Sequence, residues 1–130
     1  MNTIRLFLLS LVLSLTVLSC DSDVTRIDSL IFNESLTNAY LDGEPFAGKA
    51  WSGKEKTICI ECDNGRIVKV TAYHTNGNVA IENNSLISEG TNYDNEGNPI
   101  SLERLSSNYP EVVGAVKDMI SRILVSPDLK

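Results

Sequence analysis

Histidine is scarce in this sequence, and the common catalytic motifs are missing. The 130 residues include one histidine, His74. No Gly-x-Ser-x-Gly elbow, phosphate-binding loop, His-Glu-x-x-His helix or EF-hand loop occurs. We therefore expect no enzymatic activity, no catalytic residue, no metal and no cofactor. A small envelope hydrolase built on a carboxylate pair stays open as the alternative, because such a pair is defined by its placement in space.

Basic residues are also few. The chain has 11 lysines and arginines against 17 aspartates and glutamates, a formal net charge of −6. Residues 1–19 contain one arginine and no acid, so without them the net charge would be about −7. A chain of this composition has no basic stripe that could meet phosphates, which excludes a nucleic-acid partner. For the same reason we expect no electrostatic docking on anionic lipid headgroups.

Cysteine is limited to three residues, two of which form a C-x-x-C motif. Cys59 and Cys62 lie in a segment that alternates like a strand. Residues three apart in a strand face opposite sides, and their Cα atoms lie ~10 Å apart, beyond the ~7 Å limit for a disulfide. A zinc site would need further ligands, and the chain has one histidine. We expect two free thiols, and a disulfide across a strand bulge stays open.

The most apolar stretch lies at the start of the chain. Phe7–Leu18 carries no charge and follows Arg5. A basic residue before an apolar run of this kind is typical of a secretory signal peptide. The run is shorter than the ~20 apolar residues that span a bilayer as a helix. An uncleaved membrane helix is the alternative.

The end of this stretch, Val17-Leu18-Ser19-Cys20, resembles the lipobox of bacterial lipoproteins. The resemblance implies a diacylglyceryl group on the Cys20 thiol, cleavage after Ser19, and acylation of the new amino group. Several acyl chains would anchor the protein stably in a membrane. An unmodified Cys20 after an ordinary signal peptide is the alternative.

The residues that follow, Asp21-Ser22-Asp23, bear on the membrane that receives the protein. They are similar to surface-export signals in some lipoproteins and to inner-membrane retention signals in others. We expect a cell-envelope protein, held at the outer membrane or cell surface rather than at the inner membrane.

Two stretches twenty positions apart share one turn chemistry. Tyr73–Asn78 and Tyr93–Asn98 both read tyrosine, three mostly polar residues, glycine, asparagine. Glycine turns between alternating runs indicate β-hairpins, and their recurrence predicts an antiparallel meander. For the hairpin before them we predict a three-residue loop, Asp63-Asn64-Gly65, which places Ile60 opposite Val68 and aligns the two apolar rows.

These stretches resemble MORN-like repeats of the bacterial type, and the resemblance extends over residues 40–102. It implies an array of β-hairpins. Proteins of this kind are often antitoxin or immunity components, and others are scaffolds or membrane-associated modules. The sequence departs from the repeat at Cys62–Gly65, which lacks the tyrosine, and at Asn83–Ser85, which interrupts the spacing.

The last element is predicted to be an amphipathic helix that covers one face of the sheet. Its apolar residues follow the i, i+3, i+4, i+7 spacing. They are Val112, Val113, Val116, Met119, Ile120, Ile123 and Leu124. A partner-binding helix is the alternative. The predicted fold is α+β, an antiparallel hairpin meander with one C-terminal helix. The predicted segments are a signal peptide (1–19), a lipidated N-terminus and tether (20–36), a hairpin region (37–105) and a helix (106–127).

These features favour a non-enzymatic binding or recognition module, with an antitoxin-like or immunity-like role implied by the MORN resemblance. The expected partners are the membrane, through the N-terminal lipid, and a protein. A structural or accessory lipoprotein is a further alternative. Large aromatic side chains often anchor protein interfaces. We therefore predict partner contacts at Tyr40, Trp51, Tyr73 and Tyr93.

Overall fold

A computed structural model describes residues 24–52 and 57–124. The predicted signal peptide, the cleavage position Ser19 and the lipidation position Cys20 lie outside the described residues. No helix in the described ranges is long and apolar enough to cross a membrane.

The described chain forms ten strands, one 3₁₀ turn and two α-helices, so it is mostly β-sheet and broadly α+β. The strands are β1 (Thr25–Arg26), β2 (Ile31–Phe32), β3 (Ala39–Leu41), β4 (Glu44–Pro45), β5 (Gly48–Trp51), β6 (Ile58–Asp63), β7 (Arg66–Tyr73), β8 (Val79–Asn83), β9 (Thr91–Tyr93) and β10 (Pro99–Ile100). The 3₁₀ turn is Ile27–Ser29, and the helices are α1 (Leu102–Asn108) and α2 (Pro110–Leu124).

Seven of the strands form the main sheet, in the order β1-β5-β6-β7-β8-β9-β10. All neighbours are antiparallel except β1 and β5. A smaller sheet, β2-β3-β4, joins it at the β6–β7 turn, where the amide of Ala39 donates to the carbonyl of Gly65 over 2.7 Å. From β5 onward, consecutive strands are spatial neighbours, as the predicted meander requires.

The predicted three-residue loop between β6 and β7 is wrong, as the register of this hairpin shows. Asp63 pairs with Arg66, so the loop has two residues, Asn64 and Gly65, both with positive φ (49° and 89°). Positive φ at both positions is the type I′ pattern, whose twist matches that of the flanking strands. The pairing then shifts by one residue, from Cys62–Ile67 to Glu61–Lys69.

This shift leaves Val68 unpaired and 40% exposed. Ile60 consequently lies opposite Val70 rather than Val68. The bulge restores the alignment of the apolar rows that a two-residue turn alone would disrupt.

The two Tyr-x-x-x-Gly-Asn stretches form matching hairpin turns. In the β7–β8 turn, the amide of His74 donates to the carbonyl of Asn78 (2.8 Å), and the amide of Gly77 donates back to His74 (2.9 Å). In the β9–β10 turn, Asp94, Asn98 and Gly97 make the same bonds at 2.8 and 3.1 Å. The predicted hairpins are therefore present at both stretches.

The C-terminal region contains two helices where one, over residues 106–127, was predicted. The first begins at Leu102, within the predicted hairpin region 37–105, and residues 125–127 lie outside the described residues. Ser101 caps α1 by accepting a hydrogen bond from the amide of Arg104, and the chain bends at Tyr109 before α2 begins at Pro110. Proline lacks an amide donor, which a first helical turn does not need. Leu105 on α1 is fully buried.

The apolar stripe of α2 packs on the sheet as predicted. Its buried residues are Val112, Met119 and Ile123, and Val113, Val116 and Ile120 pack partly against the core. Leu124, at the end of the predicted stripe, is 53% exposed. The sheet face under α2 carries Ile58, Ile60, Val70 and Ala72, all buried.

The segment predicted as a tether enters the fold well before residue 36. Thr25 and Arg26 pair with β5, and four apolar side chains that follow are buried in the core. They are Ile27, Leu30, Phe32 and Leu36. Arg122 of α2 also lies 3.9 Å from the carboxylate of Asp28.

Candidate functional site

The main sheet has two unlike faces, and α2 covers one of them. On the other, register places Trp51, Cys59, Thr71, Glu82 and Thr91 side by side across five strands. We call this side the open face, because among the described elements α2 packs on the opposite side; Cys59 and Thr71 at its centre are nevertheless buried. It also includes Lys49, Glu61, Lys69, Tyr73, Val79 and Tyr93, because side chains alternate between faces along each strand.

An aromatic pair lies on the open face. The rings of Trp51 on β5 and Tyr73 on β7 stack, with their centroids 6.0 Å apart and an angle of 26° between planes. Strand β6 runs between β5 and β7, so the pair reaches across it. Cys59 on β6, directly opposite Trp51, is only 5% exposed. Burial raises the pKa of the Cys59 thiol, which keeps it protonated at neutral pH.

A second aromatic position lies at the far side of the open face. Tyr93 is half-buried and lines a shallow depression together with Val79 and Glu82. Of the four aromatic residues predicted to contact a partner, three therefore share one face of the sheet. Tyr40 does not, because it lies in the smaller sheet, between Ile31 and Pro45.

The charges of the open face alternate in sign. Lys49, Glu61 and Lys69 are direct neighbours in register, and the amine of Lys69 lies 3.6 Å from the carboxylate of Glu82. Both side chains of that pair are about half exposed (48% and 47%). Two lysines and two glutamates balance, so this face lacks the acidic excess of the whole chain.

His74, the one histidine, has a structural setting. Its ring is 4% exposed, and Nε2 donates a hydrogen bond to the backbone carbonyl of Tyr93 over 2.8 Å. The ring of Tyr109 contacts it edge-on at a centroid distance of 4.5 Å. His74 thus links the ends of β7 and β9 to Tyr109, the residue directly before α2.

The two glycine turns also contact each other. The side-chain amides of Asn76 and Asn78 both donate to the backbone carbonyl of Asn95 at 2.8 Å. The Tyr109 hydroxyl donates to the Asn95 side chain at 3.2 Å and accepts from its backbone amide at 3.3 Å. The repeated asparagines therefore join neighbouring hairpins. The repeated Tyr-x-x-x-Gly-Asn pattern predicted the turns, but nothing in the sequence predicted the contact with Tyr109.

The two strand cysteines are free and buried, on opposite faces of β6. Burial, assisted by neighbouring Cys59, raises the pKa of Cys62 to about 11. A thiol with that pKa is a poor nucleophile at neutral pH, because the thiolate is the reactive form. Among residues 24–52 and 57–124, no group of three or more histidines, cysteines and acids is placed to hold a metal ion.

Comparison of the sequence with protein-family models finds no match, and comparisons with curated proteins and with solved structures find none. The class that the observed structure defines is an α+β domain of antiparallel hairpins, with one covered and one open sheet face.

Proposed function

We propose that this chain is a lipid-anchored protein of the cell envelope that binds a protein partner through the open face and performs no catalysis. The observation that carries the binding role is the placement of Trp51, Tyr73 and Tyr93 on one sheet face, away from α2. The anchoring role rests on the resemblance of Val17–Cys20 to a lipobox.

The chemistry of the open face favours a protein partner. Tyrosine and tryptophan are enriched at the centres of protein interfaces, where they contribute large contact area at low entropic cost. Alternating lysines and glutamates can pair with complementary charges and so set the orientation of a partner. We propose a folded partner that presents an apolar centre flanked by charges of both signs.

We further propose that the hairpin array is a MORN-like unit, and that the partner role is an immunity or antitoxin role. Two turns twenty residues apart with the same hydrogen bonds support a repeat origin. The asparagine contacts between the turns support lateral stacking of the repeats. A neighbouring gene that encodes a toxin would favour this role over that of an accessory lipoprotein.

The anchoring proposal is tested by replacing the modified cysteine. Cys20→Ala should abolish incorporation of labelled palmitate and leave the signal peptide uncleaved, so that the protein keeps the mass of the full chain. Ser22→Ala, two residues away, is the matched control and should be labelled and cleaved like the wild type. Unchanged palmitate labelling of the Cys20→Ala protein would exclude lipidation at this position.

The binding proposal is tested by affinity capture from intact cells, followed by titration of the captured partner. Trp51→Ala and Tyr93→Ala should each weaken binding at least tenfold, since large aromatic anchors contribute ~2 kcal/mol or more. Tyr40→Ala, an aromatic truncation in the smaller sheet, is the control and should bind normally. Equal loss of binding in all three variants would argue against the open face.

A further inference from the structure

A cavity lies between the covered face of the main sheet and α2. Its volume is about 270 Å³. The floor is made by β7 and β8, and the wall by the middle of α2. These apolar lining residues are Val70, Ala72 and Ile81 on the sheet and Val116, Met119 and Ile120 on the helix. The cavity is therefore apolar at its base and lies on the opposite side of the sheet from the open face.

The segment between β8 and β9 forms the rim of this cavity, and side-chain hydrogen bonds hold it in shape. The side-chain nitrogen of Asn83 donates to the backbone carbonyl of Ser88. Its side-chain oxygen accepts from the Ser88 hydroxyl (3.3 Å) and from the backbone amide of Asn84 (2.8 Å). The chain then passes so close to β8 that a Cβ atom at Gly90 would overlap the carbonyl oxygen of Glu82. These contacts give the rim a defined position.

Two polar side chains, Asn92 and Glu89, also line the cavity at its rim. Asn92 lines the cavity from β9, and its side-chain amide makes no hydrogen bond with another residue of the described ranges. Glu89 is exposed and is the one ionisable residue that lines the cavity; its carboxylate has no ion-pair partner within residues 24–52 and 57–124. An amide and a carboxylate above an apolar base form the arrangement of a ligand site, in which a few polar groups orient an apolar ligand.

We propose that this cavity binds a small amphiphile with an apolar body and a neutral or cationic head group. The cavity volume limits the size of the apolar body. An apolar cavity of ~150 Å³ holds benzene, so this one accommodates on the order of ten non-hydrogen atoms. Its charge sets the head, because the Glu89 carboxylate attracts a cation and repels an anion. The site is separate from the protein-binding face proposed above and does not depend on it.

Three probes of equal chain length test this proposal: octylamine, 1-octanol and octanoate. The protein is the predicted mature chain, residues 20–130, carrying Cys20→Ala, so that neither an attached acyl chain nor the apolar run Phe7–Leu18 competes for the probes. Octylamine and 1-octanol should bind by calorimetry, and each should raise Tm by roughly 6–10 °C at a free concentration about tenfold above its Kd. Octanoate should bind more weakly than either. No binding by any probe, or tightest binding of octanoate, would overturn the proposal.

Two variants locate the binding. Val116→Phe fills the cavity and should abolish binding of octylamine and 1-octanol, whereas Leu124→Phe, on an exposed part of the same helix, should leave both unchanged. Glu89→Gln should reduce the ratio of octylamine affinity to octanoate affinity by about two- to fivefold, the range of an exposed ion pair. Binding that persists in Val116→Phe, with a melting curve that shows the variant is folded, would place the probes elsewhere and refute the site.

Discussion

The β7–β8 and β9–β10 turns have the same backbone and different first residues. His74 in one turn is buried and bonds to Tyr93, nineteen residues away. Asp94 in the other accepts hydrogen bonds from the amides of Glu96 and Asn98 within its own turn, both at 2.9 Å. Glycine and asparagine therefore determine the backbone of the turn, while the position of the hairpin in the sheet determines the hydrogen-bond partners of the first side chain.

The largest expected difference between the turns comes from removing the first side chain. His74→Ala should lower the free energy of unfolding by about 2–3 kcal/mol, since it leaves the Tyr93 carbonyl without its donor and removes a buried ring. Asp94→Ala should cost clearly less, because that side chain bonds only within an exposed turn. Chemical denaturation of the two variants measures both effects. Equal losses would mean that the turns are equivalent.

The turn glycines should respond alike. Gly77 and Gly97 have φ of 91° and 93°, and a Cβ atom at either would have no neighbour within 4 Å. Gly77→Ala and Gly97→Ala should therefore each cost about 1–2 kcal/mol, the strain of a left-handed conformation alone. Denaturation midpoints of the two variants test this. A difference above ~1 kcal/mol would contradict the shared backbone geometry.

Removing the Tyr109 hydroxyl, which links the turns to the helices, should have a smaller effect on the free energy of unfolding. Tyr109→Phe removes the hydroxyl that bonds Asn95 and keeps the ring that contacts His74. Unfolding free energy should fall by about 0.5–1.5 kcal/mol, the net value of a hydrogen bond. Tyr40→Phe, which lacks these partners, is the control. If Tyr109→Phe lost as much unfolding free energy as His74→Ala, the Tyr109 hydroxyl rather than the His74 imidazole would be the main link between the turns and the helices.

The smallest expected effect is on pH dependence. The backbone amide of Asn98, with further hydrogen bonds in the turn, lowers the pKa of Asp94 below its usual value. Because the folded pKa is depressed, the stabilising contribution is complete above the unfolded pKa of ~3.9 and is lost as pH falls through the folded value. Wild-type stability should therefore fall more steeply below about pH 4 than that of Asp94→Asn. Parallel pH profiles from pH 2 to 6 would contradict this.

Local patterns in the sequence predict much of the fold. Alternation predicts the β6 and β7 strands, glycine turns predict the hairpins, and the apolar stripe predicts α2 packed on the sheet. The β6–β7 register could not be predicted, because the bulge at Val68 has no local signature. The helix α1 was also missed, since the apolar stripe that predicts a helix begins only at Val112.

The candidate sites were predictable only in part. Aromatic residues could be identified as candidates, but strand parity and register decided that Trp51, Tyr73 and Tyr93 share a face and that Tyr40 does not. The cavity under α2 was not predicted at all. It depends on the distance between a helix and a sheet, which no single segment encodes.

The sequence by itself determined the hairpin turns, the amphipathic helix and the acidic charge balance, because each depends on residues close together in the chain. Tertiary structure decided the roles of His74, Asn95 and Tyr109, the composition of the open face, and the cavity between α2 and the sheet. These depend on contacts between residues far apart in sequence, where register and packing choose the neighbours.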